Sequence, residues 1–207
     1  QEIVDFKNET KIPVVVLMGD VAASGGYYIS APADFIYANP STITGSIGVI
    51  LQTYNLSGLY EKIGVKKETF KSGKYKDILS DSREITPEER EMINDLMKDT
   101  YENFLERVSQ GRKIEIEEVR NLAEGRLYSG VSAKEVGLVD EVGTLNDAIL
   151  KSAKLAGLKK FKVVKFKSTS ILEEVLGQIK FAARNTGVNL GIVGINQPKY
   201  QILYKLP

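Results

Sequence analysis

Neither histidine nor cysteine occurs among the 207 residues. Without cysteine there is no disulfide framework, no thiolate nucleophile and no cysteine-ligated metal, and the redox compartment leaves no mark on the sequence. Without histidine the usual metal ligand and the usual general base are gone, so composition excludes Ser-His-Asp and Cys-His catalysis. Any acyl-transfer chemistry must pair Ser or Thr with another base, and a Ser-Lys pair is the natural remainder. No metal and no cofactor is expected. A strong charge of either sign is lacking as well: 28 Lys+Arg against 27 Asp+Glu leave +1, which gives no electrostatic reason to expect nucleic acid as a partner. No window of about 18 apolar residues exists. No basic, apolar and small-residue leader opens the chain, so none of it reads as a membrane span or a signal peptide.

What is present suits one globular domain over residues 1–207, with 43% hydrophobic residues to build a core. The opening "QEIVDFKNETKIPVVVL" reads as the end of a helix running into a strand, as in a fragment that starts inside a domain. "PVVVLM", from Pro13 to Met18, is a continuous apolar run of strand length, the pattern of a strand covered on both faces of a parallel sheet. "DFIYA" at 34–38 and "KKETF" at 66–70 are further strand candidates, with a short helix "LSGLYEKIG" ending at Gly64 between them. This alternation predicts a layered α/β fold.

The long helix carries the clearest local signal. Thr86 is set to cap it, Pro87 to open it, Glu89 to complete a capping box, and Gly111 to follow its end. Met92, Leu96, Met97, Phe104, Leu105 and Val108 form its expected apolar face. Shorter helices are expected around "IEEVRNLAEG", "SAKEVG" and "TLNDAILKSAKLAG", then a strand "FKVVKFK" and an amphipathic segment "SILEEVLGQIKFAAR". The aromatic and aliphatic tail at about 185–207 is too apolar for a solvated end. It is expected to pack on the body, to make an oligomer contact, or to enter a groove.

Three stretches could carry chemistry. "GDVAASGGYYIS", residues 19–30, breaks a strand into Ala-Ser-Gly-Gly. Ser24 there is either the cap of a helix or a nucleophile, and a helix start beside it would aim the NH of Gly25 at an oxyanion. "ANPSTITGSIGVI", residues 38–50, is an irregular turn or the wall of a cleft, with Ser46 one hydrogen bond from the nucleophile. "FKSGKYKDILSDSRE", residues 70–84, offers Lys71, Lys74 and Lys76. A lysine is a base only when neutral, which requires lowering its pKa from about 10.4 by roughly two units or more through desolvation. Spacing alone does not choose between Lys74 and Lys76.

Together "GDVAASGGYYISAPADFIYANPSTITGSIGVI", "ETFKSGKYKDILSDSREITPEER" and "GRLYSGVSAKEVGLVDEVG" resemble, in order and over roughly residues 10–150, the bacterial and archaeal signal peptide peptidase A family. That resemblance implies Ser24 as nucleophile, Lys76 rather than Lys74 as general base, Ser46 as the residue positioning the lysine, and the Gly25 NH as an oxyanion donor. It implies a crotonase/Clp-protease-like α/β fold with a mostly parallel sheet and flanking helices. It further implies a serine peptidase that degrades signal-peptide remnants at a prokaryotic membrane, with its catalytic domain outside the cytoplasm, and self-association into a ring or dome. A membrane anchor and an opening strand, whose glycine-rich end supplies a second oxyanion donor, would precede Gln1. The rival readings are a crotonase-like hydratase or isomerase acting on acyl-thioesters, and an inactive ring-forming scaffold.

Overall fold

A computed structural model describes residues 1–166. The segment "SILEEVLGQIKFAAR" and the tail at 185–207 lie outside the described residues. Contacts divide the chain into a first unit, Gln1–Ser152, and a second that starts at Ala153.

Among the described residues six strands form two three-stranded sheets. In the first, β1 (Val15–Met18), β3 (Phe35–Ala38) and β6 (Glu141–Val142) run parallel in the order β1-β3-β6. In the second, β2 (Val21–Ala23) pairs in parallel with β4 (Ile43–Gly45), which pairs antiparallel with β5 (Leu127–Ser129). Seven described helices flank them: α1 (Glu2–Thr10), α2 (Gly25–Ser30), α3 (Ser57–Ile63), α4 (Pro87–Arg112), α5 (Ile116–Leu122), α6 (Gly130–Glu135) and α7 (Leu145–Leu155). This is the layered α/β arrangement with mostly parallel pairing that the alternating pattern predicts.

The reasons are local first. The Val-Val-Leu-Met run of β1 exposes no residue fully, as expected of a parallel strand covered on both sides. Met18, Tyr27, Ile36, Leu105, Val108 and Leu138 are the centre of the core, each at most 1% exposed, and burying one Leu or Val side chain stabilises by about 1.5–3 kcal/mol. Tyr27 brings its hydroxyl into that core and donates to the Leu138 carbonyl at 2.8 Å. Burial pushes its phenol well above the usual tyrosine range. Tyr28 meets Phe104 edge-on with ring centroids 5.2 Å apart, packing α2 onto α4.

Two buried threonines tie β4 and the residue before it to β2 and the chain leading into it. Thr42 donates to the Gly19 carbonyl at 2.7 Å and accepts from the Asn39 NH at 2.9 Å. Thr44 donates to the Ala22 carbonyl at 2.8 Å. In the other sheet, Asp140 accepts the Ile36 NH at 2.7 Å and pairs with Arg112 at 2.8 Å, a guanidinium only 6% exposed.

Several expectations need correcting. Residues 66–70 form no strand: all five are exposed and have no strand partner among the described residues, and an isolated extended segment gains no ladder bonds. Residues 161–166 of "FKVVKFK" are likewise irregular, with no neighbouring strand among the described residues to pair with. Gly111 lies inside α4, which ends at a left-handed Lys113 with φ 57°. A β-carbon at Gly111 would fall on the Ala31 carbonyl, so close approach of backbone to backbone, not termination, requires the glycine. The apolar face of α4 is buried only at Phe104, Leu105 and Val108, whereas Met92 and Leu96 are exposed.

Candidate active site

Parallel pairing does the first work of assembling the site. Ala23 and Gly45 are register partners at the carboxyl ends of β2 and β4, so Ser24 and Ser46 leave the sheet as next residues on strands about 4.8 Å apart. The Ser24 NH donates to the Gly45 carbonyl at 2.8 Å, extending the ladder one residue further. Carboxyl ends of adjacent parallel strands are where open α/β sheets present their sites.

Ser24 turns sharply there. Its φ is 51° and ψ −117°, a combination that non-glycine residues avoid, and the helix α2 starts at the next residue. The chain thus goes strand, strained serine, helix. Ser24 stands at the N-cap position and its side chain makes no cap hydrogen bond, so of the two roles it takes the cap only by position and its exposed hydroxyl is left for something else. Its carbonyl accepts the Tyr28 NH at 2.8 Å, the first bond of the helix. The Gly25 NH belongs to the first turn, whose donors have no partner within a helix. A β-carbon on Gly25 would meet nothing within 4 Å, so the α-carbon face of this residue is open.

Ser46 is constrained in a second tight turn. Gly45 has φ 75° and Ser46 φ 49°, and a β-carbon on Gly45 would stand 2.6 Å from the Tyr128 ring. The Ser46 NH donates to the Arg126 carbonyl at 2.8 Å. This anchors the residue from the side of β5 and leaves its half-buried hydroxyl without a protein partner among the described residues.

The lysines separate clearly. Lys71 pairs with Asp77 at 2.6 Å. Lys74 pairs with Glu88 and lies 4.9 Å from the Tyr75 ring centre. Hydrogen bonding to Glu88 holds its amine above the usual lysine range, which favours the charged form. Lys76 is exposed, and among the described residues its amine has no hydrogen bond or ion pair. No bond joins it to Ser24 or Ser46 either. The structure therefore brings together Ser24, Gly25 and Ser46, and no hydrogen bond among the described residues joins Lys76 to either serine.

One group escaped the sequence reading. Arg83 bridges Asp77, the residue after Lys76, to Glu89 of the α4 capping box. Its signal was present in the charges of "KDILSDSREITPEE", but a non-periodic segment gives no spacing rule for pairing them. Beside this turn an open cavity of about 460 Å³ is bounded by Leu51, Tyr54, Leu79, Ile85, Ile93 and Met97.

Residues 6–159 match Peptidase family S49. A protein of Synechocystis sp. is 49% identical over 153 residues, covering 74% of this chain and 55% of that protein. Protease 4 of Salmonella typhi is 40% identical over 149 residues, 72% of this chain and 24% of that protein. The chloroplastic serine protease SPPA of Arabidopsis thaliana is 35% identical over 203 residues, 96% of this chain and 28% of that protein. The chain spans about half the length, or less, of these relatives.

Proposed function

Since this chain belongs to peptidase family S49, we propose that it is a serine endopeptidase working with a Ser24–Lys76 dyad. The observation that carries this reading is Ser24 itself: an exposed serine at φ 51° and ψ −117°, between a strand and a helix, with a hydroxyl that caps nothing. Strain of that kind costs about 1–3 kcal/mol and persists where a site needs the geometry.

The chemistry then follows from the residues present. Neutral Lys76 accepts the Ser24 proton as Oγ attacks the carbonyl carbon of the scissile peptide. The oxyanion takes the Gly25 NH as one donor. The C–N bond breaks, Lys76 returns the proton to the leaving amine, and an ester to Ser24 remains. Water next gives a proton to Lys76 and attacks the ester, the acid departs, and Ser24 recovers its proton. Ser46 orients the lysine amine through its hydroxyl. Lys71 and Lys74 are already bound to carboxylates, which is the reason to assign the base to Lys76. Lys76 is exposed in the single chain, so the desolvation that makes it neutral comes from bound substrate and from neighbouring copies.

The proposed substrates are remnant signal peptides at the membrane, whose small and apolar residues suit the uncluttered backbone at Gly25 and Gly26. No helix among the described residues is long and apolar enough to cross a membrane. Self-association into a ring or dome is part of the same proposal, supported by the exposed apolar side chains Ile50, Tyr54, Leu59, Ile63, Phe70 and Leu96, of the kind that interaction surfaces cover.

A fluorophosphonate probe tests the reading together with a fluorogenic apolar peptide. Labelling confined to Ser24 and peptide hydrolysis lost in Ser24→Ala are expected. Absence of labelling with turnover of an acyl-thioester would move the chain to the hydratase class, and absence of both would leave a scaffold.

A further inference from the structure

The turn that carries Lys76 has no helix or strand to hold it. Its internal support is a run of turn bonds, among them the Lys76 NH to the Gly73 carbonyl at 3.2 Å and the Ser80 NH to the Asp77 carbonyl at 3.0 Å. Such turns are weak alone, yet a general base must be held to within about an ångström of its target. Arg83 supplies the missing constraint. Its Nε and Nη2 donate to the two oxygens of Asp77 at 3.0 and 2.9 Å. Its Nη1 and Nη2 donate to the two oxygens of Glu89 at 2.7 and 2.6 Å. Further bonds reach the Glu84 and Asp77 carbonyls at 3.0 and 3.2 Å. One planar guanidinium thus grips two carboxylates by both oxygens each, a geometry a lysine cannot reproduce. Glu89 is fixed in turn, because it also accepts the Thr86 NH at 3.0 Å as the capping-box residue of α4. Its side chain is only 4% exposed, and that of Asp77 13%.

The same bonds decide which charges Lys76 meets. The charged and titratable groups of this region are Lys71, Lys74, Tyr75 and Asp77 on the turn, Asp81, Arg83 and Glu84 after it, Glu88, Glu89 and Arg90 at the start of α4, and Lys67 and Tyr60 alongside. Asp77 is taken by Lys71 and Arg83, Asp81 by Lys67 and Tyr60, Glu88 by Lys74 and Tyr75, and Glu89 by Arg83. The carboxylate next to Lys76 in the chain is therefore occupied, and among the described residues Lys76 has no counter-ion.

We propose that Arg83 is a positioning residue of the peptidase, which pins the Lys76 turn to the first turn of α4 and withholds the Asp77 carboxylate from the Lys76 amine. An unoccupied carboxylate beside a lysine favours the charged form and works against a base. This inference rests on Lys76 being the base, so Lys76→Ala is measured first. If that variant hydrolyses peptide normally, the dyad reading fails on its own.

With Lys76→Ala inactive, the full-length protein carrying Arg83→Gln decides. Its kcat is expected to fall about tenfold to a hundredfold with KM within about threefold, as for a misplaced group acting only in the transition state. The midpoint of the alkaline rise in kcat is expected to move up as Asp77, then held by Lys71 alone, is freed on its Arg83 side. Adding Asp77→Asn to Arg83→Gln should return the midpoint to that of the unsubstituted protein while kcat stays low. An unchanged midpoint and kcat in folded Arg83→Gln overturns the proposal, as does a midpoint that stays raised in the double variant. Should circular dichroism find Arg83→Gln unfolded, Arg83→Lys takes its place: it keeps the charge and loses the double grip. A kcat reduced about tenfold there sustains the proposal, and one within twofold of the unsubstituted protein overturns it.

Discussion

Ser24 combines the position proposed for the nucleophile with a backbone that a side chain opposes. The two roles can be separated by substitution. Ser24→Ala removes the hydroxyl and keeps a β-carbon at φ 51°, whereas Ser24→Gly removes both the hydroxyl and the steric conflict. Both variants should be inactive, and thermal or urea unfolding should find Ser24→Gly more stable than Ser24→Ala by about 1–2 kcal/mol. Equal stabilities would mean that the turn stores no strain at this residue. The lysines offer the companion test. Lys76→Ala should abolish peptide turnover, and Lys74→Ala, which loses an exposed pair with Glu88 and a contact with the Tyr75 ring, should keep most of it, since exposed pairs contribute little. The opposite ranking in a fluorogenic-peptide assay would reassign the base.

Among the elements, α4 is the one on which the site leans most. Thr86 accepts the Glu89 NH at 3.2 Å and Glu89 accepts the Thr86 NH, while the far end lies against α2 through Phe104 and Gly111. Gly111→Ala forces a β-carbon onto the Ala31 carbonyl. A helix-favouring substitution is thus expected to destabilise by about 1–3 kcal/mol, read as a lower urea midpoint. The capping end should show in the pH dependence. Hydrogen bonds from Arg83 hold Glu89 at about 2, below its ordinary 4.5, and hold Asp77 well below the usual carboxylate range. Depressed carboxylates stabilise the folded state above their unfolded pKa and lose that contribution as pH falls through the folded one. Stability should hold above about pH 5 and decline as pH drops from 4.5 toward 2. Arg83→Gln should flatten that decline in urea midpoints measured across the range.

For the molecule as a whole, Asp140 joins sequence-distant parts: β3 through the Ile36 NH and α4 through Arg112. Asp140→Ala leaves the nearly buried Arg112 guanidinium unpaired and should cost about 2–4 kcal/mol in unfolding free energy. Its expected signature is loss of stability with the Ser24 probe still reacting at low temperature. The exposed apolar side chains of α3 and the first half of α4 make assembly the expected solution behaviour. Sedimentation should find a multimer that Leu96→Glu breaks up; a monomeric unsubstituted protein would remove the ring from the proposal.

How much of this was legible beforehand follows from the range of the forces involved. The absence of histidine and cysteine excluded Ser-His-Asp and Cys-His chemistry and left a Ser-Lys pair as the natural remainder. The Thr-Pro-Glu-Glu cap, the Gly64 stop and the apolar run of β1 are signals within one or two turns of chain, and each folded as its spacing predicts. Where sequence reading failed, the deciding partner was remote. "KKETF" and "FKVVKFK" have strand-forming residues, but a strand exists only when another supplies its hydrogen bonds. Gly111 looked like a terminator because helix ends favour glycine, and it was the Ala31 carbonyl eighty residues earlier that required it. The pairing of β2 with β4 sets Ser24 beside Ser46, and of the three lysines on its turn Lys76 is the one without a carboxylate among the described residues. Those are consequences of tertiary structure, because register and charge pairing depend on distances through space that no local pattern encodes.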